Sequence, residues 1–164
     1  MGASTYSVIA KGVTVVGANT MIYLRPAATA TLHIARCWIS QGASAAASEQ
    51  NAVALFTQPK ASPTLVAATP FQHGGSGDSA SSLTGATTGA AGTAGINASA
   101  EGTGTIIYGP TDGFNNLNGW NWVATPDERI ILAASSASGF GLMLVTVPTA
   151  KTLWYAGITW HEYG

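Results

Sequence analysis

Three histidines, seven carboxylates, one cysteine and five tryptophans are the side chains of this 164-residue chain best suited to chemistry. His33, His73 and His161 form no HxH, HxxxH or HExxH pattern, so nothing local points to a metal. His33 reads as a half-buried or interface side chain on a strand. A Ser-His-Asp set can occur in any chain order. However, no GxSxG nucleophile elbow is present, and Gly75-Ser76-Gly77 belongs to a low-complexity run.

The carboxylates are Glu49, Asp78, Glu101, Asp112, Asp127, Glu128 and Glu162. A glycosidase needs two of them held across a cleft. Asp127 and Glu128 are adjacent and would point to opposite faces of a strand. Thr125-Pro126-Asp127-Glu128-Arg129 reads better as a turn preset by proline. Asp112 to Gly119 offers several oxygens for calcium but one carboxylate and no EF-hand spacing, so a turn held by Asx hydrogen bonds is expected there. No GxxxxGK[ST] marks a nucleotide site. The expectation is a protein without catalytic residues, metal or cofactor, and so not an enzyme.

Trp120 and Trp122 lie two apart and share one face of any strand they occupy. Exposed, they would stack on sugar rings. Buried, they would anchor a core or a subunit contact, which is the expected role. Trp154 and Trp160 share a face in the same way.

Only 8% of residues are charged and the formal net charge is −1. Ordinary globular domains carry about 25% charged residues. A near-zero net charge promotes association. Lys11, Arg25, Arg36, Lys60, Arg129 and Lys151 are scattered, which argues against a nucleic-acid stripe. No apolar run approaches a membrane span; the longest, near Phe140 to Val147, is far too short. Neither nucleic acid nor membrane is expected as a partner. Cys37 stands alone, so no disulfide forms within the chain, which suits a reducing compartment.

The elements that must position these groups are short strands broken by turn residues. Strands are expected near 6–10, 20–25, 31–40, 52–58, 65–68, 105–108, 120–123, 130–133, 141–147 and 152–160. Period-two order places Leu32, Ile34, Arg36 and Trp38 on one face, and His33, Ala35, Cys37 and Ile39 on the other. In the last strand Leu153, Tyr155, Gly157 and Thr159 oppose Trp154, Ala156, Ile158 and Trp160. Ser44–Asn51 is the best helical candidate, but it is short and reads as a loop with room for one turn. The fold class is all-β, a single jelly-roll-like antiparallel sandwich. Residues 1–12 are read as an N-terminal arm or first strand, and 13–164 as the domain. Residues 74–104 are nearly all Gly, Ala, Ser and Thr, and read as an extended loop or an arm ordered by another subunit.

Some of these stretches recur together as an ordered set. They are His33-Ile-Ala-Arg-Cys-Trp-Ile-Ser-Gln41 with Ser48-Glu49-Gln50, then Thr69-Pro70 leading into the glycine-rich excursion. Gly119-Trp120, Trp122 and Thr125 to Arg129 follow, and Trp160-His161-Glu162-Tyr163 ends the set. In this the chain resembles the small jelly-roll decoration (cement, auxiliary head) proteins of tailed bacteriophages. The resemblance implies a structural virion protein, made in the host cytoplasm and bound to the capsid exterior. It implies a homotrimer that bridges subunits of the major capsid protein. Met1 to Gly12 would add as a strand onto a neighbour, and patterning nominates Tyr6, Val8, Lys11, His73, Trp120, Trp122 and Trp160 as contact residues. Two other readings stand beside it. One is a carbohydrate- or receptor-binding sandwich on the virion or tail. The other is a lectin-like or cupin-like enzyme, which would need His and Glu clustered inside a barrel.

Overall fold

The computed structural model describes residues 4–15, 19–42, 48–58, 63–74 and 79–164, and its regular elements are all β-strands. In chain order they are β1 (Ser4–Val13), β2 (Thr20–Arg25), β3 (Thr31–Gln41), β4 (Gln50–Gln58), β5 (Thr64–Ala67), β6 (Phe71–Gln72) and β7 (Thr84–Gly85). There follow β8 (Thr93–Ala100), β9 (Ile107–Asn115), β10 (Trp120–Val123), β11 (Ile131–Leu132), β12 (Gly139–Leu144) and β13 (Trp154–Tyr163). They build two sheets. The first runs β10-β3-β13-β1-β6, with β11 also on β3; the second runs β5-β8-β2-β12-β4-β9, with β7 on β8. The short β7–β8 pair is parallel, and the other strand pairs are antiparallel.

The neighbour orders β1-β13-β3-β10 and β2-β12-β4-β9 are those of a jelly roll. The chain crosses between sheets from β1 to β2, to β3 and to β4, turns to β9 within a sheet, then crosses to β10, β12 and β13. The stretch between β4 and β9 is an insertion that widens both sheets. It adds β6 beside β1, and β8 with β5 beside β2.

Of the two readings of residues 1–12 the described residues bear out the first strand, and the loop reading of 74–104 is corrected. β1 is no free arm: it lies between β13 and β6, paired from Ser4 opposite Glu162 to Ala10 opposite Ala156. Its own chain already uses the backbone groups that a neighbour would need. Nor is 74–104 a plain loop. Thr93–Ala100 is a full strand, paired with Ile22–Arg25 on one side and with β5 on the other. Small residues suffice because the bulk comes from neighbouring strands: a Cβ on Gly95 would lie 2.7 Å from Leu65 Cβ. Residues 75–78 and, from the expected helical turn, 44–47 lie outside the described residues; Gln50 and Asn51 begin β4.

The sheets pack face to face over one apolar core. In β13 the period-two reading holds, and Trp154, Ala156, Ile158 and Trp160 are fully buried. Across the sandwich Phe114 of β9 meets Trp154 edge-to-face at 6.2 Å. In β3 the simple alternation fails. Leu32 and Ile34 are buried, but so are Cys37 and Ile39, while Arg36 is exposed. The reason is a β-bulge. Trp160 pairs with Ile34 and Thr159 with Arg36, leaving Ala35 as the extra residue that inverts the phase. The neighbour strand breaks at the same point. Ala124 N–H donates to Ala35 O at 3.0 Å, and Ile34 N–H donates to Ile130 O at 2.9 Å. Between them sits the expected proline turn, closed by Glu128 N–H on Thr125 O at 3.2 Å.

Cys37 is sealed by this inversion, and burial pushes its thiol well above the usual range. It should react with an aromatic disulfide reagent only through opening of the sandwich. Labelling rates across a denaturant series should follow global unfolding measured by tryptophan fluorescence. Fast labelling in native buffer would contradict this packing.

Candidate functional site

The seven nominated contact residues part into three groups. Tyr6, Val8 and Trp160 face the second sheet and are core, so they present nothing to a partner in this fold. Trp120 and Trp122 do share a face, but they pair with Ile39 and Cys37 and point inward at the sheet's edge, half-buried against the core. Trp120 Nε1–H donates to Asp112 Oδ2 at 3.2 Å. Lys11 and His73 are exposed. Period-two spacing alone does not say which phase of a strand faces in.

The structure gathers what the sequence scatters. All three histidines lie on the outer face of the first sheet. His161 is opposite both His33 and Thr5, and Ile131 and Tyr163 flank them. His161 Nδ1 shares a hydrogen bond with Thr5 Oγ1 at 2.9 Å, and His73 Nε2 with Ser7 Oγ at 3.0 Å. The His33 ring sits 4.5 Å from that of Tyr163, and Phe71 meets His73 edge-on at 5.2 Å. The rings have separate partners rather than a common centre. Among the described residues no three His, Cys, Asp or Glu side chains are placed to hold a metal ion. His33 Nδ1 is buried with no partner among the described residues. Its pKa is lowered by burial first, then by the Arg129 guanidinium and by His161.

The same face sets exposed apolar side chains among these polar ones. Phe71, Ile131 and Tyr163 are 63%, 56% and 42% exposed, and Ile9 and Val123 continue the surface. The outward strand positions include Lys11 and Arg36 but neither Asp nor Glu.

The carboxylates serve elsewhere, as fasteners. Glu49 accepts from Thr149 N–H at 2.7 Å and Ala150 N–H at 3.2 Å, and the first of these chiefly holds its pKa below the usual range. Glu101 accepts from Thr20 N–H at 2.8 Å, and Glu162 from Ser82 N–H at 2.7 Å and Ser81 Oγ–H at 2.9 Å. Asp112 caps Gly113 N–H at 2.8 Å. The Asx turn expected after it is present: Asn115 Oδ1 accepts from Leu117 N–H at 2.9 Å. Gly119 closes that turn at φ +67, where a Cβ would lie 2.9 Å from Ile39 O.

Sheet edges offer little for backbone pairing. β6 has two residues, while β5 and β10 have four each. β9 is a longer exposed edge, but it holds Pro110 within a bulge, where Ala54 pairs with Thr111 and Phe56 with Tyr108. Short, bulged and proline-bearing edges resist strand addition. Exposed apolar side chains stand on both sheets, Phe71, Ile131 and Tyr163 on the first and Val66, Ile107 and Tyr108 on the second.

The His33 environment sets a pH dependence. Its folded pKa is below the ordinary 6.5, so the unfolded chain takes the proton first. The stability present above pH 6.5 is therefore lost as pH falls through the folded value. Urea midpoints should drop between pH 7.5 and 5 by less in His33→Gln than in the parent. An equal drop in both would remove His33 from the account.

Comparison of the chain with protein-family models, with curated protein sequences and with solved structures gives no match.

Proposed function

We propose that this chain is a structural protein of a virus particle, a decoration protein that docks on the outside of a phage head and bridges major capsid subunits. The observation that carries the reading is the set of exposed apolar side chains, Phe71, Ile131 and Tyr163, on a sheet face whose outward strand positions hold no Asp or Glu. These exposed apolar side chains are spread over one face, from Phe71 on β6 at one edge to Ile131 on β11 at the other, and exposed apolar surface marks sites of association. The low charge content fits the same picture, since 8% charged residues supports assembly better than solitary life at high concentration. The blunt edges favour docking through a face, in place of strand exchange through β1. On this reading the chain is not an enzyme, needs no cofactor, and works as a homotrimer whose closed ring covers further surface. A protein that binds only the assembled shell stabilises it by mass action.

The test is sedimentation with empty shells from the particle that encodes the chain. The parent should co-sediment and raise the shell's melting temperature. Phe71→Asp and Ile131→Asp alter exposed positions, so the variants should fold. Placing a charge in a docking face should weaken shell binding by a factor of about 30 or more, as at an interface hot spot. Binding unchanged in both variants would move the contact to another surface, and no binding by the parent would end the decoration reading.

A further inference from the structure

Further along the same sheet face, in the row from Ile9 to Asn121, lies a feature that Phe71→Asp and Ile131→Asp leave untouched. Trp38, on β3 beyond the bulge, pairs with Gly157 of β13, and its indole lies across that glycine. Any Cβ at position 157 would fall inside the van der Waals surface of the indole Nε1 and Cε2. The glycine thus provides the seat on which a flat ring rests parallel to the sheet, half-buried. Beside it is an open concavity of about 250 Å³, lined in part by Arg36, Trp38, Ser40, Asn118 and Asn121.

The polar groups round this ring are positioned but not used up. Arg36 Nε–H donates to Asn121 Oδ1 at 2.7 Å, across the β3–β10 pair. That bond orients both planar groups. It leaves the Arg36 Nη groups and Asn121 Nδ2 without acceptors among the described residues. Arg36 and Asn121 are both exposed, and no carboxylate lines the concavity. A flat apolar floor bordered by fixed, unfilled donors matches a ligand with one apolar face and an acceptor-rich rim.

We infer that this concavity is a saccharide subsite: a sugar ring stacks on Trp38, while its oxygens accept from Arg36 and Asn121. The donor set favours a sugar with a carboxylate, since a guanidinium can hold that group through two parallel bonds. A sugar's C–H face over an indole uses the same electrostatic complementarity that draws cations and ring edges to aromatic faces. The site differs from the one its sequence would nominate. Of the spaced pair, Trp122 faces the core and Trp120 borders the same concavity with its Nε1–H held by Asp112, while the platform is Trp38, which the bulge turns outward.

The experiment is a titration of the full chain with oligogalacturonate and with a neutral glucan of equal length, followed by the Trp38 indole N–H resonance and by calorimetry. Millimolar binding of the uronate is expected, with the neutral glucan several-fold weaker. Trp38→Ala should lower affinity about tenfold, the scale of one lost aromatic stack. Asn121→Ala, at an exposed strand position, should also weaken binding while its melting temperature stays near that of the parent. The inference is overturned if neither saccharide perturbs Trp38 at about 10 mM, a concentration that fills a millimolar site. It is overturned equally if binding survives both substitutions, or if the neutral glucan binds as well as the uronate. The outcome is separable from the decoration reading, whose variants lie at the histidine end of the sheet.

Discussion

The pairing of β3 with β13 is the constraint from which most of this structure follows. It is the longest ladder of the first sheet, and it crosses the middle of the domain. The extra residue at Ala35 decides the orientation of everything on β3. With the bulge, Leu32, Ile34, Cys37 and Ile39 all enter the core. The outward set becomes His33, Arg36, Trp38 and Ser40. Without it, one half of the strand would turn its apolar side chains to solvent, because a one-residue slip inverts every later position. Core and candidate site are therefore two consequences of one irregularity.

The scarcity of charge is matched by the way the acids are used. Glu49, Glu101 and Glu162 each hold backbone N–H groups of a segment distant in the chain. A carboxylate accepting several such bonds satisfies donors that a strand terminus or loop would otherwise leave unpaired. Acids occupied in this way do not contribute a broad field over the surface. The outward strand positions of the first sheet thus hold Lys11 and Arg36 and no acid, while Asp127 and Glu128 stand exposed in the turn between β10 and β11.

Much of the fold was legible because turn residues bracket the strands, so that the expected bounds of Thr20–Arg25 and Trp120–Val123 match those observed. The four inward side chains of β13, Trp154, Ala156, Ile158 and Trp160, were readable from period-two alternation. Three things were not. Period-two counting cannot see a bulge, so β3 was read with Cys37 and Ile39 on the wrong side. Composition argued against a strand at Thr93–Ala100, since Gly and Ala pack well only when neighbours supply bulk, and neighbours are a tertiary fact. The grouping of His33, His73 and His161 depends on strand order. Each outward phase could be guessed from its own strand, but nothing in the spacing of the three residues says that β3, β13, β1 and β6 lie side by side.

The insertion between β4 and β9 looks like filler by composition, yet it completes the histidine end of the face. Its early residues, Phe71 and His73, extend the sheet beyond β1, where His73 shares its hydrogen bond with Ser7. Its later residues, Ser81 and Ser82, grip Glu162, and Glu162 sits between His161 and Tyr163. Tyr6 Oη–H donates to Ser79 O at 2.5 Å and ties β1 to the same segment. Removing the insertion would take two side chains from the face and loosen the end of β13 that presents two more. A jelly roll needs eight strands to close its core. The additional strands here lengthen that core through the buried Leu65, Leu83, Ala94 and Ala98, and they extend the outer surface through Phe71 and His73, so one insertion serves both.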